Sequence, residues 1–207
     1  MLWHHGSPQT GAPLEPLVVA AAARGIRLLS YARPSYGGSS PKPGRAVASA
    51  AAGVVCLAGI APLTAEFDWW SGMADDGGLR AAVVGRAARA HHAASAEFDP
   101  SIFIPADWAA LKGAWSSLDA DAARANAVGP DGSIDDDIAF VAPWGFELAQ
   151  IVAPVLLVQG GLDRVVPPAH ADWLLRHCPR SELWLRSTDG HVSVLDACPA
   201  AMDWLSR

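Results

Sequence analysis

The fold is decided by one segment, VLLVQGGLDRVVP, which spans residues Val155–Pro167. It begins with an unbroken apolar run, Val155–Val158, and glycines lie between this run and Asp163. A short apolar run that ends in glycines is typical of a strand buried on both faces, as in a parallel sheet. Open α/β sheets place their ligand chemistry at the carboxyl ends of such strands. The segment therefore predicts an α/β fold with an acidic residue at the reactive edge of its sheet.

A histidine follows the next predicted strand at the equivalent place. The apolar run Leu183–Leu185 leads into the loop STDGH, which ends at His191, 28 residues after Asp163. A carboxylate that accepts from one imidazole nitrogen fixes the tautomer and raises the basicity of the other nitrogen. We therefore predict a hydrogen bond of about 2.6–3.2 Å between the Asp163 carboxylate and the His191 ring. The alternative is that Asp163 only caps a turn and His191 is a surface histidine.

The rest of the chain alternates strand-like apolar runs with helical spacing, which predicts a mostly parallel sheet of about five strands with helices on both faces. Residues 66–127 are helical in pattern, so we predict a helical cap inserted into a core of residues 1–65 and 128–207. The tryptophans of this region either line an apolar pocket or pack the interior: Trp69, Trp70, Trp108 and Trp115. The predicted strands are Met1–His4, Ile26–Tyr31, Val54–Ile60, Pro154–Gln159 and Glu182–Arg186, and the predicted helices are Leu14–Arg24, Arg45–Ala52, Leu79–Phe98, Ala106–Asn126, His170–His177 and Pro199–Ser206.

The composition excludes several classes of protein. Of the 207 residues, 51% are hydrophobic and 17% are charged, which excludes intrinsic disorder. The formal net charge is −6 and the basic residues are scattered, so we expect neither nucleic acid nor a membrane as a partner. Three cysteines without metal-ligand spacing favour a reducing cytoplasm. A small-molecule substrate without a cofactor is the expectation that remains.

Two histidine pairs and one acidic run are the candidate metal ligands. His4-His5 and His91-His92 have no carboxylate or cysteine partners at ligand spacing. The run Asp135–Asp137 is typical of a solvated helix start. We therefore predict no metal site.

Several short motifs occur in an order that resembles the α/β-hydrolase superfamily. The motifs are HGSP at His5–Pro8, RPSYGGS at Arg33–Ser39, GGLD at Gly160–Asp163 and GH at Gly190-His191, with FDWWSGM at Phe67–Met73, IDDDIAF at Ile134–Phe140 and PWGF at Pro143–Phe146 resembling one group of bacterial hydrolases. The resemblance implies a serine-type hydrolase of small ester or amide bonds. In that scheme Asp163 orients His191, His191 is the general base, and the Gly6-Ser7 backbone forms half of the oxyanion hole.

The nucleophile of that superfamily is missing from this sequence. Its serine lies in a G-x-S-x-G elbow between a strand and a helix. Only Ser39 and Ser40 have a glycine two residues before them, and Pro41 and Lys42 replace the second glycine. The interval Pro41–Gly53, which includes Ser49, is too short for the elbow and its flanking elements, which need about 40 residues. We therefore predict no nucleophile.

Three interpretations of these departures stay open. The chain is a hydrolase of weak activity in which His191 activates water, a non-catalytic binding remnant, or an incomplete gene product. The strands that the superfamily places before His5 are also missing, so we expect an exposed sheet edge and self-association through it. With the elbow strand absent, Val54–Ile60 is expected to pair with Leu2–His4.

Overall fold

The computed structural model describes residues 1–42 and 53–207. The predicted helix Arg45–Ala52 and the candidate Ser49 lie outside the described residues. The strands are β1 Leu2–Trp3, β2 Leu29–Ser30, β3 Val54–Leu57, β4 Val155–Gly160 and β5 Ser181–Arg186. The α-helices are α1 Glu15–Ala22, α2 Gly77–Val84, α3 Arg86–Ser95, α4 Pro105–Lys112, α5 Ser116–Val128, α6 Asp131–Val141, α7 Pro168–His177 and α8 Cys198–Leu205, and short 3₁₀ helices occupy Pro100–Ile102, Leu148–Gln150 and Ser193–Ala197.

All strand pairings in the described residues are parallel, as predicted, but they form two sheets. β1 pairs with β2, and the other sheet has the order β3-β4-β5. The expected pairing of Val54–Ile60 with Leu2–His4 is therefore wrong. β1 takes the strand that follows it through α1, as consecutive parallel strands usually do, and β3 pairs along four residues with the longer β4.

The chain forms two compact units. The first combines the described part of Met1–Arg45 with Gly77–Glu97 and Ala110–Ala139. The second combines the described part of Ala46–Asp76 with Phe98–Ala109 and Phe140–Arg207. Both units take residues from the stretch 66–127, and its role as a separate cap stays a prediction.

The core of the second unit is built on β4, which is buried along its whole length. Successive side chains of a strand point to opposite faces. Val155 and Leu157 therefore pack with Trp173 and Leu174 of α7 on one face. On the other face, Leu156 and Val158 pack against the 3₁₀ helix Ser193–Ala197 and against α8. The contacting residues are Val194, Ala197 and Ala201. Helices thus cover both faces of β4, as the unbroken apolar run predicts.

Two predicted helices are each split in the structure. Leu79–Phe98 divides into α2 and α3 at Gly85, whose φ of +133° is not helical and is readily adopted by glycine. Ala106–Asn126 divides into α4 and α5 just before Ser116, next to the buried Trp115. Helical periodicity continues through both breaks, so the pattern alone does not reveal them. Among the described helices, none combines the length and apolarity that crossing a membrane requires.

The tryptophans of the 66–127 stretch serve mainly as packing residues. Trp69 is 1% exposed, and its ring nitrogen donates to the Ala61 carbonyl at 3.0 Å. Its ring packs edge-on against Trp70 and His170. Trp115 is buried in the first unit, and Trp108 packs against Phe98 and Phe103 in the second. Of the two alternatives for Trp69, core packing is therefore the correct one.

Candidate active site

The loops after β4 and β5 bring Asp163 and His191 together. Asp163 Oδ2 lies 2.9 Å from His191 Nδ1, so the predicted contact is present. The two loops pack backbone against backbone, since a Cβ on Gly160 would clash with the Gly190 carbonyl oxygen and one on Gly161 would lie 2.9 Å from Ser187. The GG pair at the end of β4 is therefore required by this close approach.

Asp163 is fixed by hydrogen bonds on both of its oxygens. Oδ1 accepts from the backbone nitrogens of Val165 at 2.8 Å and Val166 at 2.9 Å. Oδ2 accepts from the side-chain amide of Gln159 at 3.2 Å in addition to the His191 ring. The Asp163 side chain is fully buried. It can therefore orient His191 but cannot itself meet a solute.

His191 has the features of a general base. Because Nδ1–H donates to Asp163, the neutral ring keeps Nε2 as its acceptor nitrogen. The side chain is 30% exposed, so solvent reaches it. Burial lowers the pKa of His191, but the charge and hydrogen bond of Asp163 and the charge of Asp107 outweigh burial, and the pKa lies above its ordinary value.

Asp107 is a site residue that sequence reasoning missed. It is 1% exposed and accepts from the backbone nitrogens of His191, Val192 and Ser193. The available signal was local: Asp107 is the third residue of a helix that begins with Pro105, a pattern that predicts a helix start. Nothing near Asp107 in the sequence indicates the loop at His191, 84 residues away.

Gly6 and Ser7, the predicted oxyanion residues, lie in the first unit, in the loop after β1. The Ser7 hydroxyl lies 2.6 Å from the Tyr36 hydroxyl, which donates to Asp136 Oδ2 at 2.8 Å. The Tyr36 hydroxyl has a single hydrogen and donates it to the carboxylate, so the Ser7 hydroxyl must be the donor in its contact with Tyr36. Burial and the adjacent Asp136 raise the pKa of Tyr36. The phenol therefore stays protonated and continues to donate to Asp136 while it accepts from Ser7.

The histidine of the same loop has a structural role. His5 Nδ1 donates to the Gly6 carbonyl at 2.8 Å, and Nε2 accepts from the Arg33 backbone at 3.0 Å. Burial lowers the pKa of His5 and favours this neutral form. His4 Nδ1 lies 2.9 Å from the Tyr31 hydroxyl. In residues 1–42 and 53–207, no group of three or more potential ligands is placed to hold a metal ion.

The acidic run of α6 is not a solvated helix start, so that expectation is wrong. Asp135 and Asp136 are buried in the first unit. Their sequence looks like a helix start, but α6 begins earlier, and each carboxylate of the run has a basic partner from elsewhere in the unit. The pairs are Arg86 with Asp135, Arg33 with Asp136 and Arg89 with Asp137.

The two serines that have a glycine two residues before them do not lie in a nucleophile elbow. Ser39 and Ser40 lie in the turn-rich loop after β2. The Ser39 hydroxyl donates to the Ala32 carbonyl at 2.9 Å, and Ser40 is exposed. Ser35 has a φ of +70°. Its hydroxyl donates to Asp135 Oδ2 at 2.8 Å.

The solved structures that are similar to this chain include two esterases and a bromoperoxidase. A thermophilic esterase from Thermogutta terrifontis aligns with a TM-score of 0.66 over 99% of this chain and 88% of that one, at 16% identity. An esterase from Exiguobacterium antarcticum gives 0.61 over 99% and 89%, also at 16%. A bromoperoxidase from Bacillus anthracis gives 0.56 over 99% and 88%, at 16%. The chain therefore has the α/β-hydrolase fold.

Sequence comparison gives a shorter match. A pimeloyl-[acyl-carrier protein] methyl ester esterase from Nitrosomonas europaea is 43% identical over 49 residues. This stretch is 24% of the chain and 19% of that esterase, so the chain aligns with about a fifth of the curated relative. No family model matches the chain.

Proposed function

We propose that this chain is a hydrolase of small esters or amides that works slowly, through water activated by His191 rather than through a serine nucleophile. The observation that carries the proposal is the 2.9 Å contact between Asp163 and His191 at the ends of β4 and β5. The resemblance to esterases in fold, and over a short sequence stretch, supports an ester as the substrate class.

The proposed reaction needs only the acid–base pair and water. His191 Nε2 accepts a proton from a water molecule while the oxygen of that water attacks the acyl carbon. Asp163 stabilises the imidazolium that forms. The same proton then passes to the leaving alcohol or amine as its bond to the acyl carbon breaks. General-base assistance of this kind contributes about 10²–10⁴-fold.

Slow turnover follows from the missing elbow. The sequence contains no G-x-S-x-G, and the glycine-preceded serines lack the second glycine. An elbow also supplies one oxyanion donor, from the residue after the nucleophile. Gly6 and Ser7 keep the proposed oxyanion role that their HGSP motif implies.

Hydrolysis of p-nitrophenyl acetate tests the proposal. We expect slow, linear release of nitrophenol by the wild type and release at the uncatalysed rate by His191→Ala. His177→Ala, which alters a half-exposed histidine of α7, is the matched control and should keep the wild-type rate. Equal rates in wild type and His191→Ala would contradict the proposal. A wild type at the uncatalysed rate would favour the alternative, a non-catalytic binding remnant.

Self-association through a sheet edge and a cytoplasmic location also remain proposals. In the described part of the second unit, β5 is an edge strand and carries Leu185, whose side chain is 54% exposed. Long apolar edge strands promote pairing between copies, and a lysine on the edge opposes it. Leu185→Lys should therefore lower any concentration-dependent association seen by sedimentation velocity. The free thiols Cys56, Cys178 and Cys198 fit a reducing compartment.

A further inference from the structure

One buried carboxylate accepts hydrogen bonds from consecutive backbone N–H groups of the loop that carries His191. Asp107 Oδ1 accepts from the nitrogens of Val192 at 2.9 Å and Ser193 at 2.8 Å, and Oδ2 accepts from the His191 nitrogen at 3.2 Å. Three consecutive N–H groups can converge on one carboxylate only when the backbone turns around it. The direction of the chain at His191 is therefore set by Asp107.

Side-chain contacts strengthen this arrangement. The Ser193 hydroxyl donates to Asp107 Oδ1 at 2.8 Å and accepts from the Gly190 nitrogen at 2.8 Å. A Cβ on Gly190 would clash with the Asp107 carboxylate, so the glycine before His191 is what lets the carboxylate approach. The Gly190-His191 motif is thus explained in part by Asp107.

Asp107 also caps the helix on which it lies. Oδ2 accepts from the Ile104 nitrogen at 3.2 Å, just before the start of α4 at Pro105. A carboxylate at the third helical position that reaches back to the capping residue satisfies a donor that the helix leaves unpaired. The start of α4 and the His191 loop therefore share one carboxylate within the second unit.

We propose that Asp107 is a positioning residue that holds the His191 loop so that the ring stays against Asp163. Its effect on turnover rests on the proposed function, but its effect on the histidine does not. Two charged groups act on the His191 ring: Asp163 acts through its charge and its hydrogen bond, and Asp107 acts through its charge while it also holds the loop backbone. Removal of Asp107 should therefore change the state of the ring even in a protein that turns nothing over.

NMR titration of the His191 ring tests the positioning role directly. In Asp107→Asn the pKa of His191 should fall by about 0.5 to 1 unit, less than in Asp163→Asn. Amide hydrogen exchange among His191, Val192 and Ser193 should be about tenfold faster, since asparagine keeps a single acceptor oxygen in place of the two carboxylate oxygens that hold these amides. Asp172→Asn neutralises an exposed aspartate of α7 and should leave both readouts at wild-type values.

Loss of the Asp107 charge alone would lower the His191 pKa without moving the loop, so faster exchange at the loop amides is the readout that separates positioning from charge. If folded Asp107→Asn shows wild-type exchange at His191, Val192 and Ser193, the proposal is overturned. Ser193→Ala is the milder second variant, because it removes one donor and keeps the charge. It should accelerate exchange at the Gly190 amide, which loses its acceptor, and unchanged exchange there would also contradict the proposal. Loss of ester hydrolysis plays no part in these readouts, so failure of the proposed function is seen separately.

Discussion

Arg33 places its two terminal guanidinium nitrogens 2.8 Å from the two carboxylate oxygens of Asp136, 103 residues further along the chain. The same carboxylate accepts from Tyr36, which in turn meets the Ser7 hydroxyl. One buried acid of α6 therefore fixes two loops of the first unit, including the loop that carries the predicted oxyanion residues. Such parallel, two-point pairing of guanidinium and carboxylate fixes geometry as well as charge.

Asp136→Asn should be strongly destabilising. The Asp136 side chain is 2% exposed and the Arg33 side chain 18%, so the change leaves a mostly buried guanidinium without its counter-charge. Breaking a buried pair from one side costs about 3–5 kcal/mol in the free energy of unfolding. Asp131→Asn, at the exposed partner of Arg86, is the control and should change it by about 0.5 kcal/mol or less. Urea unfolding measures both, and equal losses would refute the role of Asp136.

Ser35 offers a test of backbone strain against a hydrogen bond. Its φ of +70° favours glycine, while its hydroxyl donates to Asp135. Ser35→Ala loses the hydrogen bond and keeps the strain, whereas Ser35→Gly loses the hydrogen bond and relieves the strain. We expect the glycine variant to be more stable than the alanine variant by about 1 kcal/mol in chemical unfolding. The reverse order would show that the φ imposes no strain.

His170 should make the second unit sensitive to mild acid. It is fully buried, accepts from the Ala61 nitrogen at 3.2 Å and donates to the Trp69 carbonyl at 2.9 Å. Burial lowers its pKa from 6.5 to about 4, so the folded state favours the neutral ring. The resulting stability is fully present above pH 6.5 and is lost as the pH falls towards 4, by about 3 kcal/mol.

Urea unfolding at several pH values between 7 and 4 measures this loss. His170→Gln should be less stable than the wild type at neutral pH and should lose less stability on acidification. His177→Gln, in the same helix, should keep the wild-type dependence on pH. An equal slope in His170→Gln and wild type would show that His170 does not carry the effect.

The pH dependence of ester hydrolysis should report the pair of Asp163 and His191. Because the neutral ring is the base and its pKa is raised, the rate should rise with pH through an apparent pKa above 6.5. Asp163→Asn removes the charge and the hydrogen-bond acceptor that raise this pKa, so the rising limb should move to lower pH while the rate falls. A pH–rate profile checks both effects, and a limb that stays in place would exclude Asp163 as the partner.

The parts of the molecule that the sequence predicts are those with local signatures. The unbroken apolar run before Asp163 is typical of a strand in the interior of a sheet. Neighbouring parallel strands that end at the same edge then bring Asp163 and His191 together. The α/β class and this contact therefore follow from short segments. Their roles in catalysis stay predictions.

The parts that the sequence does not predict depend on contacts between distant segments. Asp107 binds a loop 84 residues away, and Asp136 pairs with an arginine 103 residues away. In both cases the local pattern fits an ordinary helix start, since an acid near a helix N-terminus needs no other partner to be favourable. The predicted pairing of β3 with β1 was wrong for a similar reason, because four apolar residues fit beside any parallel neighbour and their pattern does not specify which one.

A fluorophosphonate probe tests the proposal that this chain combines an acid–base pair with the absence of a serine nucleophile. Such a probe labels a serine only when a base and an oxyanion site activate it together. Intact-mass spectrometry of the 207-residue chain should show no adduct under conditions that fully label an intact serine hydrolase. An adduct that maps to Ser39, Ser40 or Ser49 and disappears in His191→Ala would contradict the proposal.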